Sequence, residues 1–472
     1  MKKNDLFKAI GICFLIFVLL SWVIPTGSYA TGEYVKANIS AVGLIDLLYY
    51  PIVTFGTFIQ YGVLFLVLGG FYGVMNKTGV YKNMIDAITG KFEGKEKLFL
   101  VLTISLLALL SALIGLPAVL FTLVPLLVAV IMSLGYDKMV AFASTIGAIL
   151  VGSIGSLYNV NNAHVNNLLS LDKHDNLISK LVLLAVLVFL LVMFVLKKAE
   201  KVELRKKEKK QATLEIPLLE TTEKSKKSFA PLAVILTFLS VLLIVSMYSW
   251  NYNLGIAFFD EVYESLMAVT IGDFEIFKNL IGDISPFGYW DTYEMCVVLI
   301  TFSLLIGWIY SLKLSDTVAS FIEGSKKMIK VAFYAMLANV VFSLMLTSTD
   351  TSILNTINNG LLSLSKEFNI GVATLLPLVG SFFFNNFYYL SNITLQAVTT
   401  VYTDTAMYGV LGILFQSLYS LAMIILPTSY ILIAGLSMLD ISFKDWFKYI
   451  WKYFVQAFII ILIVAIIVFM II

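Results

Sequence analysis

Any chemistry in this chain has to come from uncharged polar side chains set inside apolar sequence. One cluster holds Gly152, Ser153, Gly155, Ser156, Asn159, Asn161, Asn162 and His164, and a second, far downstream, holds Gln416, Ser417, Ser420, Pro427, Thr428 and Ser429. Two shorter clusters punctuate long apolar runs: Ser111, Gly115 and Pro117 between Leu98 and Leu134, and Asn385, Asn386, Ser391, Asn392 and Thr394 between Gly371 and Thr403. The breakers Gly115, Pro117, Gly152, Gly155 and Pro427 among amides and hydroxyls predict interrupted helices. The free N-terminal amides of such helices attract anions, and their unwound carbonyls attract cations. Ser, Gly, Thr and Asn also serve plain helix packing, so a single residue says little and the density of the clusters points to a solute site. Ser391, Asn392 and Thr394 read as the tip of the second interruption. Asn339, on a run read as one spanning helix, is placed to face the same cavity or to pair across helices. His164 offers either proton coupling or a hydrogen-bonded structural histidine.

What is missing narrows the chemistry. The runs read as membrane-spanning contain no Asp, Glu, Lys or Arg, and the single arginine, Arg205, lies in a polar segment. An intramembrane carboxylate that carries protons, or a fixed cation that pairs with a dianion, is therefore not expected. The two histidines, His164 and His174, have no cofactor spacing, and there is no nucleotide-binding loop, paired carboxylate or Ser/Lys dyad. Cys13 and Cys296 sit alone in apolar segments, which favours neither a disulfide nor a thiolate metal site. The expectation is a non-enzyme with no cofactor and no metal, leaving co-transported Na⁺ or H⁺ open.

The elements that must position these clusters are membrane helices. Of 472 residues, 60% are hydrophobic and 13% charged, and the mean hydropathy is +0.93, values that no soluble domain of this length approaches. Uncharged runs recur that are long enough to cross roughly 30 Å of hydrocarbon. The first follows Lys2, Lys3 and Lys8 and continues into Trp22 and Pro25 without a small-residue cleavage site, so it reads as a retained helix. Lys-rich loops at 77–97, 197–227, 313–330 and 444–452 fall on one side, opposite an acidic stretch at 250–291. The positive-inside pattern then predicts a multi-pass inner or plasma membrane protein with a cytoplasmic N-terminus. The predicted fold is an all-α polytopic membrane protein of about nine transmembrane helices plus two re-entrant helical hairpins, in two inverted repeats.

An offset of roughly 272 residues lays Asn83 on Asn355 and superposes the same order of elements: helix, amphipathic stretch, hairpin, interrupted helix, terminal helix. The organisation expected is a first membrane half at 1–196 (repeat 59–196), a basic cytoplasmic linker at 197–228 and a second half at 229–472. The second half contains the acidic extracellular loop 251–290 and a repeat at 329–472. The linker reads as solvated, with an anionic-lipid contact through Arg205 to Lys210 as the alternative.

Trp22, Ile24, Pro25, Gly27 and Tyr29, then Gly69-Gly70-Phe71 with Lys77-Thr78-Gly79, Pro125-Leu126-Leu127 with Gly135-Tyr136-Asp137, and Gly155-Ser156 with Asn159 form a recognisable series. It continues in Phe321 with Glu323-Gly324 and Lys326, in Phe415-Gln416, in Pro427-Thr428-Ser429, and in Trp446 with Trp451. Over nearly the whole chain this order resembles the YfcC-like C4-dicarboxylate anaerobic carrier family of the ion transporter superfamily. The resemblance implies a secondary transporter of dicarboxylates or of amino acids, the latter by exchange of basic amino acids, and an elevator-like mechanism. The chain departs from the family's pattern at the expected site, with Ala118 and Val119 at the first tip and Asn339 where relatives carry arginine. Those departures turn the expected solute from a C4-dicarboxylate towards an amino acid or other small carboxylate. A passive channel or facilitator and a non-transporting membrane subunit are the readings of another class. The expected partners are a small solute, the lipid bilayer and a second copy of the chain, with no nucleic acid.

Overall fold

A computed structural model describes residues 5–29, 32–208, 216–219, 225–282, 284–346 and 351–471, with side chains described outside 201–208. Two antiparallel two-residue strand pairs are the only sheets among the described residues, and everything else ordered is helix. Among the described residues eight helices are long and apolar enough to cross a bilayer: Asp5–Val23, Ile59–Lys77, Glu96–Ile114, Leu177–Glu200, Ala230–Met247, Thr292–Ile309, Thr405–Ala422 and Phe443–Ile471. Burial sorts them into layers. Thr405–Ala422 has 83% of its window buried, whereas Phe443–Ile471 has 22% and turns Ile459, Ile463 and Ile467 outward, as a lipid-facing helix must.

Local sequence sets where the inner helices stop and restart. Glu96–Ile114 ends on Gly115 at φ +64°, a left-handed cap that glycine adopts without a Cβ penalty, and Pro117 opens the next helix with its ring already at a helical φ. Asp137 caps the helix that begins at Lys138, whose next turn widens into a π-helical segment at Ala143–Gly147. That run ends at Ile154, and Asn159 caps a new nine-residue helix, Val160–Leu168. In the second half, Asn369 caps Ile370–Phe383, Asn386 caps Phe387–Val401, and the buried helix Tyr408–Ala422 stops before the nine-residue Tyr430–Met438. Each half thus supplies a helix pair joined by a tight tip and a helix broken once, followed by a long outer helix, Leu177–Glu208 or Phe443–Ile471.

Three expectations need correction. The second tip lies at 384–386, because Phe384 is extended and Asn386 restarts the helix, so Ser391, Asn392 and Thr394 are in mid-helix. The run 331–346 is two helices, Ile329–Leu337 and Val340–Met345, divided at Ala338 and Asn339. The outer helix of the first half continues to Glu208, well into the expected linker, and Leu218 beyond it is buried with its carbonyl bonded by Asn76. The side chains from Arg205 to Lys210, named for a lipid contact, lie outside the described ones. The acidic stretch forms short helices, Trp250–Leu254, Phe258–Met267 and Ile276–Ile281.

Candidate functional site

Each tip is bonded to the break of its own half. In the first half Ser111 donates to the Ile149 carbonyl at 2.7 Å and meets the Ser153 hydroxyl at 2.9 Å. Asn159 Nδ2 donates to Ala112 O at 3.1 Å, where Leu157 N also donates at 2.9 Å, so a carbonyl in the last turn before the tip is capped by residues of the break. The approach is close enough that a Cβ on Gly115 would lie 2.6 Å from Asn159 Cβ, and one on Gly152 2.2 Å from Ala108 O. Gly155 packs as tightly on Leu184. In the second half Asn385 Nδ2 donates to Thr428 O at 2.6 Å and to Asn339 Oδ1 at 2.8 Å, and its carbonyl accepts from the Tyr419 hydroxyl at 2.6 Å.

The buried helix Tyr408–Ala422 ties the halves together. Ser420 and Ser417 donate to Ser153 O at 3.0 Å and Ile154 O at 3.1 Å, carbonyls that the first break frees from the helix ladder. Gln416 Nε2 reaches Asn161 O at 3.3 Å and Asn162 Oδ1 at 3.2 Å. Ser156 bonds the Ser153 carbonyl at 2.9 Å, and Asn159 Oδ1 accepts from Asn162 N at 3.0 Å.

Between the two tips and the two breaks lies a cavity of about 330 Å³. Its wall includes Gly115 and Pro117 from the first tip, Asn385 to Tyr388 from the second, Ser153, Asn161 and His164 from the first break, and Ser420, Ser429 and Tyr430 from the second. Asn339 and Tyr61 complete it, with Tyr61 stacked on Tyr430 at a ring-centroid distance of 4.3 Å. Among the described residues none that line it is Asp, Glu, Lys or Arg. Four helices begin at this wall, at Pro117, Val160, Phe387 and Tyr430. A helix start carries partial positive charge and N–H groups without intrahelical partners, but Pro117 has no N–H and opens a helix of five residues, and Asn159 and Asn386 cap the starts at Val160 and Phe387. Ser429 makes no side-chain cap bond, which leaves the start of Tyr430–Met438 uncapped by it.

Of the residues expected from sequence, the structure brings Gly115, Pro117, Ser153, Asn161, His164, Asn339, Ser420 and Ser429 to one cavity. Ser156, Asn159, Asn162, Gln416, Gly152 and Gly155 form the frame behind that wall, and Pro427 and Thr428 form the turn of the second break. Ser391, Asn392 and Thr394 do not line it. Ser391 donates to Phe387 O at 2.8 Å and Asn392 to Tyr388 O at 2.9 Å, each within its own helix, while Thr394 pairs with Asn358 at 3.3 Å. His164 stacks on Tyr388 at 4.3 Å, and its Nδ1 lies 3.4 Å from the Tyr252 hydroxyl, so three separate segments meet at its ring. Sequence reasoning missed Tyr61, Tyr388, Tyr419 and Tyr430, which hydropathy counts as apolar. It also missed Lys180, a buried cation just before the run counted from Leu181, whose ammonium donates to Asn162 Oδ1.

A model of the family DcuC, C4-dicarboxylate anaerobic carrier, matches residues 54–470 of the chain. A protein of Haemophilus influenzae (strain ATCC 51907 / DSM 11121 / KW20 / Rd), described only as uncharacterized, is 28% identical over 34% of this chain and 43% of its own, so less than half of that relative's length is spanned. Among solved structures, the YdaH transporter of Alcanivorax borkumensis is covered over 97% of its length and 98% of this chain, with 12% identity and a TM-score of 0.39. MtrF of Neisseria gonorrhoeae, described with a class of antimetabolite efflux pumps, is covered over 95% of its length and 98% of this chain, with 14% identity and a TM-score of 0.39.

Proposed function

The chain belongs to the C4-dicarboxylate anaerobic carrier family and is a membrane transporter, and on that premise we propose that it is a secondary, alternating-access carrier whose solute is a small dicarboxylate. The observation that carries this reading is a cavity of about 330 Å³ with no charged side chain among its described lining residues, where the uncapped start of Tyr430–Met438 meets the Asn-capped starts of Val160–Leu168 and Phe387–Val401. Partial positive charge arriving from several sides, with amides and tyrosine hydroxyls between, suits a solute with more than one anionic group. The lean towards an amino acid rested on the lack of a fixed cation and on Asn339 in the place of arginine. Nothing in the comparisons supports an amino acid, whereas the family's description names the dicarboxylate.

The halves are arranged as an inverted pair in this reading, each tip riding with its own break, with the N-terminus on the cytoplasmic side where the lysine-rich loops gather. Movement of the tip-and-break unit against the outer helices would expose the cavity first to one side and then to the other. Uptake of labelled succinate into proteoliposomes tests the function. Saturable uptake that internal succinate accelerates and that arginine does not inhibit is expected. Unitary currents, or exchange of arginine with no succinate flux, would reject the reading.

A further inference from the structure

Lys180, in the first turn of Leu177–Glu208, is 4% exposed and does not line the central cavity. An ammonium withdrawn from water to that degree is costly unless its position requires it. Its hydrogen bond goes to Asn162 Oδ1, on the first turn of the helix that follows the first break.

The carbonyls freed around the first break are taken by the protein's own donors. Ala112 O takes Leu157 N and Asn159 Nδ2, Ser153 O takes the hydroxyls of Ser156 and Ser420, and Ile154 O takes that of Ser417. Asn161 O takes Gln416, and Asn162 Oδ1 takes both Gln416 and the Lys180 ammonium. Among the described residues the Thr428 hydroxyl at the second break is buried without a hydrogen-bond partner, as is Asn166 Oδ1 one turn beyond Asn162. Unwound carbonyls and amide oxygens at a broken helix are the groups that hold a co-transported Na⁺, and a lysine ammonium is a compact point charge on a flexible stem that can take such a seat.

We infer that Lys180 is a built-in cation of the first break: its ammonium occupies the amide-oxygen seat at Asn162 that Na⁺ would otherwise fill, so the first half needs no co-transported ion. Any Na⁺ requirement of the carrier then arises outside this break. The inference draws its transport consequence from the carrier reading above, but its test needs no solute.

The full chain is purified in detergent, and its thermal unfolding is followed while NaCl replaces choline chloride at constant ionic strength. Lys180→Ala and Lys180→Met are expected to melt below wild type in choline and to gain several degrees more from Na⁺ than wild type does, with saturation, as binding to the native state demands. Lys180→Arg, which keeps the charge, is expected to respond as wild type. Neutral variants recoverable only when Na⁺ is present throughout purification also support the inference. Neutral variants whose Na⁺ response is no larger than that of wild type overturn it, as do variants recoverable in neither salt. Failure of succinate uptake would leave this outcome untouched and would count against the solute assignment alone.

Discussion

Asn385 is the residue on which the second tip hangs. Its amide bonds Thr428 O and Asn339 Oδ1, and its carbonyl takes the Tyr419 hydroxyl, so one side chain holds together a tip, a break and the division at 338–339. Asn385→Ala leaves two partly buried acceptors without a donor, and a loss of roughly 1–3 kcal/mol in stability is expected by chemical denaturation. Succinate uptake is expected to fall by more than the lost folded fraction, because the tip that supplies the Phe387 helix start loses its anchor. A matching fall in the two readouts would reduce Asn385 to a packing residue. Asn385 and Asn386 are visible in the sequence as polar punctuation, yet Ser391, Asn392 and Thr394 look just as much like a tip. The distinction is physical. Ser391 and Asn392 return their polar groups to carbonyls of their own helix, a bond that costs the helix little, whereas Asn386 is extended at φ −107°, ψ 119° and caps the helix that starts after it. Composition records both as polar, and only backbone conformation separates them.

At the scale of elements, one close crossing joins Ile59–Lys77 to Leu314–Lys327. A Cβ on Gly73 would lie 2.3 Å from Ser320 O, and one on Gly324 2.2 Å from Gly69 O, so backbone meets backbone with no flexible side chain to yield. Gly69 and Gly73 form a small-xxx-small pattern, the means by which membrane helices approach closely. Gly73→Leu is expected to destabilise by at least the ~1–3 kcal/mol of ordinary overpacking, read as a lower melting temperature and a smaller folded yield. Gly360→Ala, in Ile353–Leu362 with nothing within 4 Å of the new Cβ, is expected to stabilise by about 0.5–1 kcal/mol. Equal effects of the two changes would contradict this crossing. Hydropathy makes such helices legible, and glycine at Gly115 or asparagine before an apolar run marks where some of them stop. The division at Ala338 and Asn339 carries the asparagine alone, in a run otherwise apolar on both sides, and it is Asn385 of a distant segment that holds Asn339 Oδ1.

For the whole molecule, the lipid solvent follows from composition alone, and the recurring order of tip, break and outer helix can be read from punctuation. What sequence cannot supply is how two tips separated by some 270 residues meet at one cavity, since that depends on bonds such as Ser420 to Ser153 O and Ser417 to Ile154 O between segments with no shared pattern. That meeting makes the final prediction. If Pro117 and Asn386 line one cavity that opens alternately, cysteines placed there singly, Pro117→Cys and Asn386→Cys, are reached by membrane-impermeant thiol reagents from opposite faces of the membrane. The native Cys13 and Cys296 are buried and contribute little background. A solute in the cavity covers both walls, so succinate is expected to slow modification at both positions, while a neutral amide-bearing analogue of the same length protects less because it gains less from the partial charge of the helix starts. Reaction from one face only at both positions would make the cavity a dead-end cleft, and protection at one position alone would mean that the two tips serve different ligands.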